Sequence, residues 1–147
     1  MEDLFIAANR KRLTPLIDFK LTGELIIEGR SIPEDALEFY RPALKWISDL
    51  GAVSPKKITI TFRLEYFNTS SSKILLSILN SLKRIRESGK SKVYIVWFYE
   101  ENDSDMLEAA EGFQSITKLP FLINSFLSDE SAYWEPSAFG ENRSDRK

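Results

Sequence analysis

The chain has 147 residues, is 43% hydrophobic, and carries 20 basic and 22 acidic side chains for a net charge of −2. This length and apolar content are typical of one domain with one core, and the balanced charge argues against a nucleic-acid partner, which usually binds a basic surface. The absence of histidine and cysteine excludes disulfides, thiolate metal sites and catalytic centres that need either residue.

The first part of the chain predicts a hairpin followed by a helix. Two short apolar segments within residues 14–29 are separated by Thr-Gly, which is typical of a β-hairpin. Ser31 and Glu34 have the spacing of a capping box, and an apolar stripe at helical spacing follows them. We therefore predict a helix that starts near Ser31, is kinked or split at Pro42, and ends at Gly51.

The middle of the chain changes abruptly from strand to helix periodicity. Residues 57–67 alternate between apolar and polar side chains, so this strand has one buried and one polar face. Apolar residues from Leu75 to Ile85 then recur at helical spacing, and Gly89 is a candidate C′ residue. Residues 93–99 are apolar on both faces and predict a central strand.

The remaining residues predict a third helix and a last strand. Asp105 and Glu108 form a second candidate capping box, and residues 120–127 read as a strand. The acidic loop before this helix offers oxygen ligands for Mg²⁺ or Ca²⁺, but its spacing does not match an EF-hand, so a solvated loop with capping acids is favoured. These acids are Glu100, Glu101, Asp103, Asp105 and Glu108.

The predicted order is ββαβαβαβ, which indicates an α/β single domain over residues 1–127. Strands that alternate with helices pair in parallel through right-handed crossovers, and the opening hairpin adds antiparallel pairing. We expect a mixed sheet of about five strands with helices mainly on one face. Residues 128–147 lack apolar periodicity and predict a flexible, polar C-terminal tail.

The candidate functional site is the turn Asn68–Lys73, where the sequence reads Asn-Thr-Ser-Ser-Ser-Lys. A helix N-terminus has unpaired N–H groups and partial positive charge, so it favours an anion or a phosphate on Thr69, with Lys73 on the same helical face. Asn68, Ser70 and Ser71 complete this turn. The alternative is purely structural, because Asn, Thr and Ser are also the preferred N-cap residues.

Motifs of known enzyme families are largely absent. Ser70 and Lys73 match the S-x-x-K spacing of some acylating hydrolases, but the companion motifs S-D-N and K-T-G are missing. We therefore expect a binding protein without enzymatic activity, cofactor or metal. The sequence shows no targeting signal and no apolar run of membrane-spanning length, so we expect a cytoplasmic protein that does not bind a membrane.

Several segments resemble the SiaC family of bacterial regulatory phosphoproteins. The most specific is Tyr-Phe-Asn-Thr-Ser-Ser-x-Lys at residues 66–73, which matches a signature of that family. Weaker matches are Thr-Pro at residues 14–15 with Asp-Phe at 18–19, Phe-Tyr-x-Pro-x-x-x-Trp at 39–46, and segments 93–99 and 106–121. The resemblance covers roughly residues 5–127 and leaves out the tail.

The resemblance implies a fold similar to the STAS domain of anti-sigma-factor antagonists, with Thr69 as the phosphorylated residue. It also implies a partner-switch adaptor that, when unphosphorylated, binds and activates a GGDEF-type diguanylate cyclase and so acts on cyclic di-GMP and biofilm formation. A serine/threonine kinase and a PP2C-type phosphatase are the implied opposing enzymes. The alternative is an anion- or nucleotide-binding regulatory domain that acts on a sigma-factor-type regulator.

Overall fold

The computed structural model describes residues 1–127, which form six strands and three helices. The tail predicted for residues 128–147 lies outside the described residues. The elements are, in chain order, β1 (Leu4–Ile6), β2 (Leu16–Phe19), β3 (Glu24–Ser31), α1 (Ala36–Val53), β4 (Lys57–Phe67), α2 (Thr69–Glu87), β5 (Lys92–Glu100), α3 (Ser104–Thr117) and β6 (Phe121–Phe126).

The strands form one mixed sheet in the order β1-β2-β3-β4-β5-β6. The first three strands pair antiparallel, and β3 to β6 pair parallel. Each parallel strand lies beside the previous one, so right-handed crossovers place all three helices on the same face of the sheet. Their apolar stripes and alternate strand residues form one core, with Ile60, Phe62 and Trp97 fully buried at its centre. The expected α/β domain with helices on one face is therefore confirmed.

The structure corrects three details of the predicted elements. The sheet has six strands, because the three-residue strand β1 is too short to show periodicity in the sequence. Helix α1 is capped by Asp35 rather than Ser31, since β3 remains extended to Ser31 in order to pair with Phe67. The N-cap of α3 is likewise Asp103, and Asp105 lies inside its first turn.

Helix α1 neither splits at Pro42 nor ends at Gly51. Pro42 lies on the exposed side, where solvent can satisfy the carbonyl that loses its helical partner. Gly51 faces Ile85 of α2, and a Cβ added there would make an ordinary van der Waals contact with Ile85 Cγ1 at 3.5 Å, so the helix continues through this position as it would through alanine. The helix ends at Ser54, which adopts a left-handed conformation. Gly89, with φ of 80°, follows α2 as predicted.

The helix-free face of the sheet contains a buried ion pair. Arg63 Nη1 on β4 lies 2.7 Å from Glu28 Oε1 on β3, and the two residues are register partners. Both residues are almost completely buried, with 2% and 3% of their surface exposed. A buried ion pair recovers the desolvation cost of its charges only while both partners are present.

None of the helices in residues 1–127 is both long and apolar enough to cross a lipid bilayer.

We expect Arg63→Met to lower the free energy of unfolding by about 3–5 kcal/mol, because it leaves the buried Glu28 carboxylate without this cation. Urea denaturation followed by circular dichroism measures the change. The matched control is Arg30→Met, which removes the exposed Arg30–Glu65 pair between the same two strands and should cost at most about 1 kcal/mol. Equal losses in the two variants would contradict a special role for the buried pair.

Candidate functional site

The turn between β4 and α2 is organised by Asn68. Its extended backbone makes it the N-cap of α2, and its side-chain Oδ1 accepts hydrogen bonds from Ser71 N at 2.9 Å and Ser70 Oγ at 3.1 Å. Its backbone N–H donates to the carbonyl of Ser31 at the end of β3. The side chain therefore satisfies one free N–H of the first helical turn, and the backbone fixes the turn to the neighbouring strand.

A chain of buried hydroxyl groups lies directly beneath this turn. Ser71 Oγ is 2.8 Å from Ser31 Oγ, which is 2.6 Å from the Tyr40 hydroxyl on α1. Ser71 Oγ also lies 3.0 Å from the Ser31 carbonyl oxygen, within donating distance. Burial raises the pKa of Tyr40 above its ordinary value, so the phenol remains protonated and can donate into this network. The network ties β3, α1 and α2 together at one point.

Thr69 lies on the opposite side of the turn from this network. It is the first residue of α2, it is exposed, and its hydroxyl makes no hydrogen bond to another residue of 1–127. Ser70 and Lys73 are exposed as well. The structure thus brings Thr69, Ser70 and Lys73 to the surface around Asn68, whereas Ser71 points into the protein.

The electrostatic environment of Thr69 favours negative charge. The first turn of α2 contains no acidic residue, and the helix N-terminus carries partial positive charge. Lys73 is one turn further along the helix and makes no ion pair with another residue of 1–127. A phosphate on Thr69 would add about −1.5 to −2 charges at neutral pH, and this turn can accommodate them.

The surroundings of the turn include exposed apolar side chains. Because parallel strands end at the same edge of the sheet, the N-termini of all three helices lie at that edge. We call it the carboxyl edge and define it by Leu13, Leu37, Tyr66 and Thr69. Tyr66 and Leu37 are 54% and 53% exposed, and the Leu13 carbonyl accepts from Ile32 N just beyond β3. Large apolar side chains exposed at the same edge as this polar turn make the edge a candidate protein-binding surface.

Two residues of this arrangement were not identified from the sequence as part of the site. In the sequence, Ser31 fits a helix cap, and Tyr40 fits the apolar stripe that follows it. The signal available in the sequence is the hydroxyl of Tyr40 within an otherwise apolar stripe, since a buried tyrosine usually finds a hydrogen-bond partner.

The acidic loop before α3 has a capping role. Asp103 Oδ1 accepts from Met106 N at 3.1 Å, which fixes the start of the helix. Within residues 1–127, no three acidic side chains are grouped closely enough to hold a metal ion.

We expect Ser71→Ala to lower the free energy of unfolding by about 1–3 kcal/mol, because it removes buried hydrogen bonds to Ser31. Ser70→Ala is the matched control and should change stability by at most about 0.5 kcal/mol, since its hydroxyl is exposed. Chemical denaturation of the two variants measures both effects. Similar stabilities would show that the two serines do not differ in structural role.

Comparison with known proteins places most of the described region in one family. The family model described as SiaC family regulatory phosphoprotein matches residues 8–126. An uncharacterized protein of Pseudomonas aeruginosa strain UCBPP-PA14 is 31% identical over 127 residues, which span 85% of this chain and 98% of the relative.

Solved structures from the same organism agree with this assignment. The crystal structure of apo-SiaC from Pseudomonas aeruginosa superposes with a TM-score of 0.76 at 30% identity, covering 84% of this chain and 99% of that one. A chain in the crystal structure of diguanylate cyclase SiaD in complex with its activator SiaC matches with a TM-score of 0.77 at 30% identity, covering 84% and 100%. The fold and these matches agree, and the chain belongs to the SiaC family of regulatory phosphoproteins.

Proposed function

We propose that this protein is a phosphorylation-controlled adaptor without enzymatic activity that binds and activates a diguanylate cyclase in the cytoplasm. In its unphosphorylated form it engages the cyclase through the carboxyl edge and raises cyclic di-GMP, a signal for biofilm formation. A serine/threonine kinase phosphorylates Thr69 and releases the cyclase, and a PP2C-type phosphatase reverses the modification. The observation that carries the proposal is the exposed Thr69 at the capped N-terminus of α2.

The relatives support the identity of the partner. A chain of the same fold at 30% identity lies in the structure of a diguanylate cyclase with its activator. The family is described as regulatory phosphoproteins, which supports phosphate as the controlling modification.

The geometry of the turn supports Thr69 as the modified residue. A kinase must reach the acceptor hydroxyl, and the hydroxyl of Thr69 is exposed, whereas that of Ser71 is buried. Ser70 is exposed too, but its hydroxyl donates to Asn68 Oδ1 at 3.1 Å. The phosphate on Thr69 would also lie nearest to the positive end of the helix, and Lys73 would face it from the next turn.

Thr69→Ala should abolish phosphorylation by the cognate serine/threonine kinase, because it removes the exposed acceptor. Incorporation of labelled phosphate from ATP, with mass-spectrometric mapping of the modified peptide, provides the measurement. Ser70→Ala is the control and should be phosphorylated as well as the wild type. Full phosphorylation of the Thr69→Ala protein would show that the acceptor lies elsewhere.

Phosphorylation of Thr69 should weaken binding to the diguanylate cyclase by at least about tenfold, or about 1.4 kcal/mol, because a dianion must then be desolvated at the interface. Calorimetry with enzymatically phosphorylated protein measures this, with Thr69→Asp as a stable mimic. Thr69→Ala, which adds no charge, should bind and activate the cyclase as the wild type does. Equal affinities of all four proteins would refute control through this residue.

Binding calorimetry also distinguishes the proposed adaptor from an anion- or nucleotide-binding regulatory domain. The adaptor binds the cyclase and gives no strong heat signal with cyclic di-GMP or with nucleotides alone. Strong binding of one of these ligands, lost in Lys73→Ala, would favour an anion-binding regulatory domain instead.

A further inference from the structure

A rigid loop with three exposed basic side chains lies at the carboxyl edge, and we call residues 9–14 the basic loop. Its ends, Asn9 and Thr14, pair through two backbone hydrogen bonds of 3.0 and 3.1 Å. The side-chain Oδ1 of Asn9 also accepts from the backbone N–H groups of Lys11 and Arg12, both at 3.1 Å. These bonds use only backbone groups of the turn, so its three basic side chains remain exposed.

The three basic side chains have no counter-charge in the described part of the chain. Arg10, Lys11 and Arg12 make no ion pair with another residue of 1–127, whereas Arg30 and Arg41 each pair with a glutamate. Like charges on consecutive residues repel one another, and no ion pair within residues 1–127 offsets this repulsion. The loop therefore presents positive charge to an external anion.

Leu13, the last residue of the turn, has an unfavourable backbone conformation. Its φ is 55°, in the left-handed region, which glycine and asparagine adopt far more readily than leucine. Its side chain is 36% exposed, so burial only partly offsets the strain. Backbone strain of this kind is concentrated at functional sites. An exposed leucine held in this conformation beside three basic residues therefore indicates a contact with a partner.

The basic loop is anchored beside the Thr69 turn. Ile32 N donates to the Leu13 carbonyl at 2.8 Å, and Asn68 N donates to the Ser31 carbonyl at 3.1 Å. The loop and the turn thus flank consecutive residues at the end of β3. Neighbouring strands lie about 4.8 Å apart, so the two backbones are about 10 Å from each other. The Debye length is about 8 Å at physiological ionic strength, so a phosphate on Thr69 would lower the positive potential at the loop.

We propose that the basic loop docks an acidic segment of the diguanylate cyclase, with Leu13 in contact with an apolar side chain of that segment. The inference rests on the proposed function and adds the chemistry that recognises the partner. Arginine binds carboxylates through two parallel N–H···O bonds, and the loop supplies two arginines and a lysine. Leu37 and Tyr66, exposed at the same edge, extend the apolar part of the surface. An apolar centre with a charged rim is the usual composition of a protein interface.

Acidic side chains at the same edge favour a protein segment over a polyanion. Glu34 and Asp35 follow β3 and are exposed, and Glu101 and Asp105 are exposed around the start of α3. A nucleic acid or an anionic membrane would bring negative charge against these residues as well as against the loop. An acidic segment of a folded partner can place its carboxylates against the basic loop alone.

Association kinetics with the full-length cyclase test the contribution of charge. Lys11→Glu combined with Arg12→Glu reverses two charges of the loop, and the backbone hydrogen bonds to Asn9 remain available. The matched control is Lys57→Glu combined with Lys92→Glu, which changes the net charge equally. These two exposed lysines are register partners at the opposite edge, about 33 Å away along the eleven residues of β4. Surface plasmon resonance at low and high ionic strength gives the rates.

We expect the loop variant to associate with the cyclase at least about tenfold more slowly than the wild type at low ionic strength, because electrostatic attraction raises association rates. The difference should become small near about 1 M salt, where the Debye length falls to about 3 Å. The control should associate as the wild type does. Equal slowing of both variants, or faster association of the loop variant, would overturn the proposal.

Leu13→Asn separates the role of this residue in binding from its role in stability. Asparagine adopts the left-handed conformation more readily, so the melting temperature measured by circular dichroism should not fall. Loss of the apolar contact should weaken binding to the cyclase at least about threefold, mainly through faster dissociation. A lower melting temperature with unchanged binding would show that the leucine serves the fold alone, and would overturn the contact.

Two further outcomes identify which inference fails. The wild type should not co-sediment with vesicles of phosphatidylserine and phosphatidylcholine. Co-sedimentation that is lost in the Lys11→Glu and Arg12→Glu variant would identify a membrane as the occupant of the loop and overturn the proposal. Absence of any binding between the wild type and the cyclase would remove the proposed function together with this inference, whereas unchanged association of the loop variant would remove this inference alone.

Discussion

The arrangement of the candidate site depends on Ser31, the last residue of β3. Its carbonyl accepts from Asn68 N and lies within hydrogen-bond distance of Ser71 Oγ, while its hydroxyl contacts both Ser71 and Tyr40. One residue thus joins the end of a strand, the first long helix and the start of the second. All of these hydrogen bonds are buried or partly buried. Breaking any one of them would leave a polar group without a hydrogen-bond partner and without access to water, and this energetic cost makes the junction rigid.

Helix geometry then divides the hydroxyl run into a buried and an exposed part. Successive side chains of a helix point about 100° apart, so four consecutive residues cannot all face the core. Ser71 faces inward and anchors the helix, whereas Thr69 and Ser70 face outward. The four consecutive hydroxyl residues are more than one helix cap requires. They contain a buried hydroxyl that anchors the helix, on Ser71, and an accessible hydroxyl, on Thr69. The structural hypothesis and the phosphorylation hypothesis are therefore compatible. The structural contacts involve Asn68 and Ser71, whereas the candidate phosphate acceptor is Thr69.

The sequence predicted the long elements because their periodicities are strong. The alternation in β4 and the helical stripe from Leu75 to Ile85 give element types that tertiary contacts do not override. Helix starts were less predictable, since Ser31 and Asp35 both fit an N-cap and only the pairing of β3 with β4 decides between them. Strand β1 has three residues and is held by pairing with β2, which no local pattern reveals.

The polar face of β4 shows another limit of sequence reasoning. Alternation predicted that Thr61 and Arg63 lie opposite the core, which is where they are, but it did not indicate that they are buried. Burial of a charged residue depends on a partner that is distant in the sequence, here Glu28, which is 35 residues before Arg63. The Thr69 turn was recognisable for the opposite reason, because its cap, hydroxyls and lysine are contiguous in the chain.

The rigidity of the junction also determines how the proposed switch would act. A phosphate on Thr69 would not need to rearrange the fold, because the helix N-terminus is already formed and its inward contacts do not involve Thr69. Its effect would be local, through the cost of desolvating a dianion beside apolar residues such as Tyr66 and Leu37 in an interface. Desolvation of one ion costs several kcal/mol, whereas a micromolar complex is held by only about 8 kcal/mol. Under the proposed mechanism, one such modification would be sufficient to separate the partners while the domain itself stays unchanged.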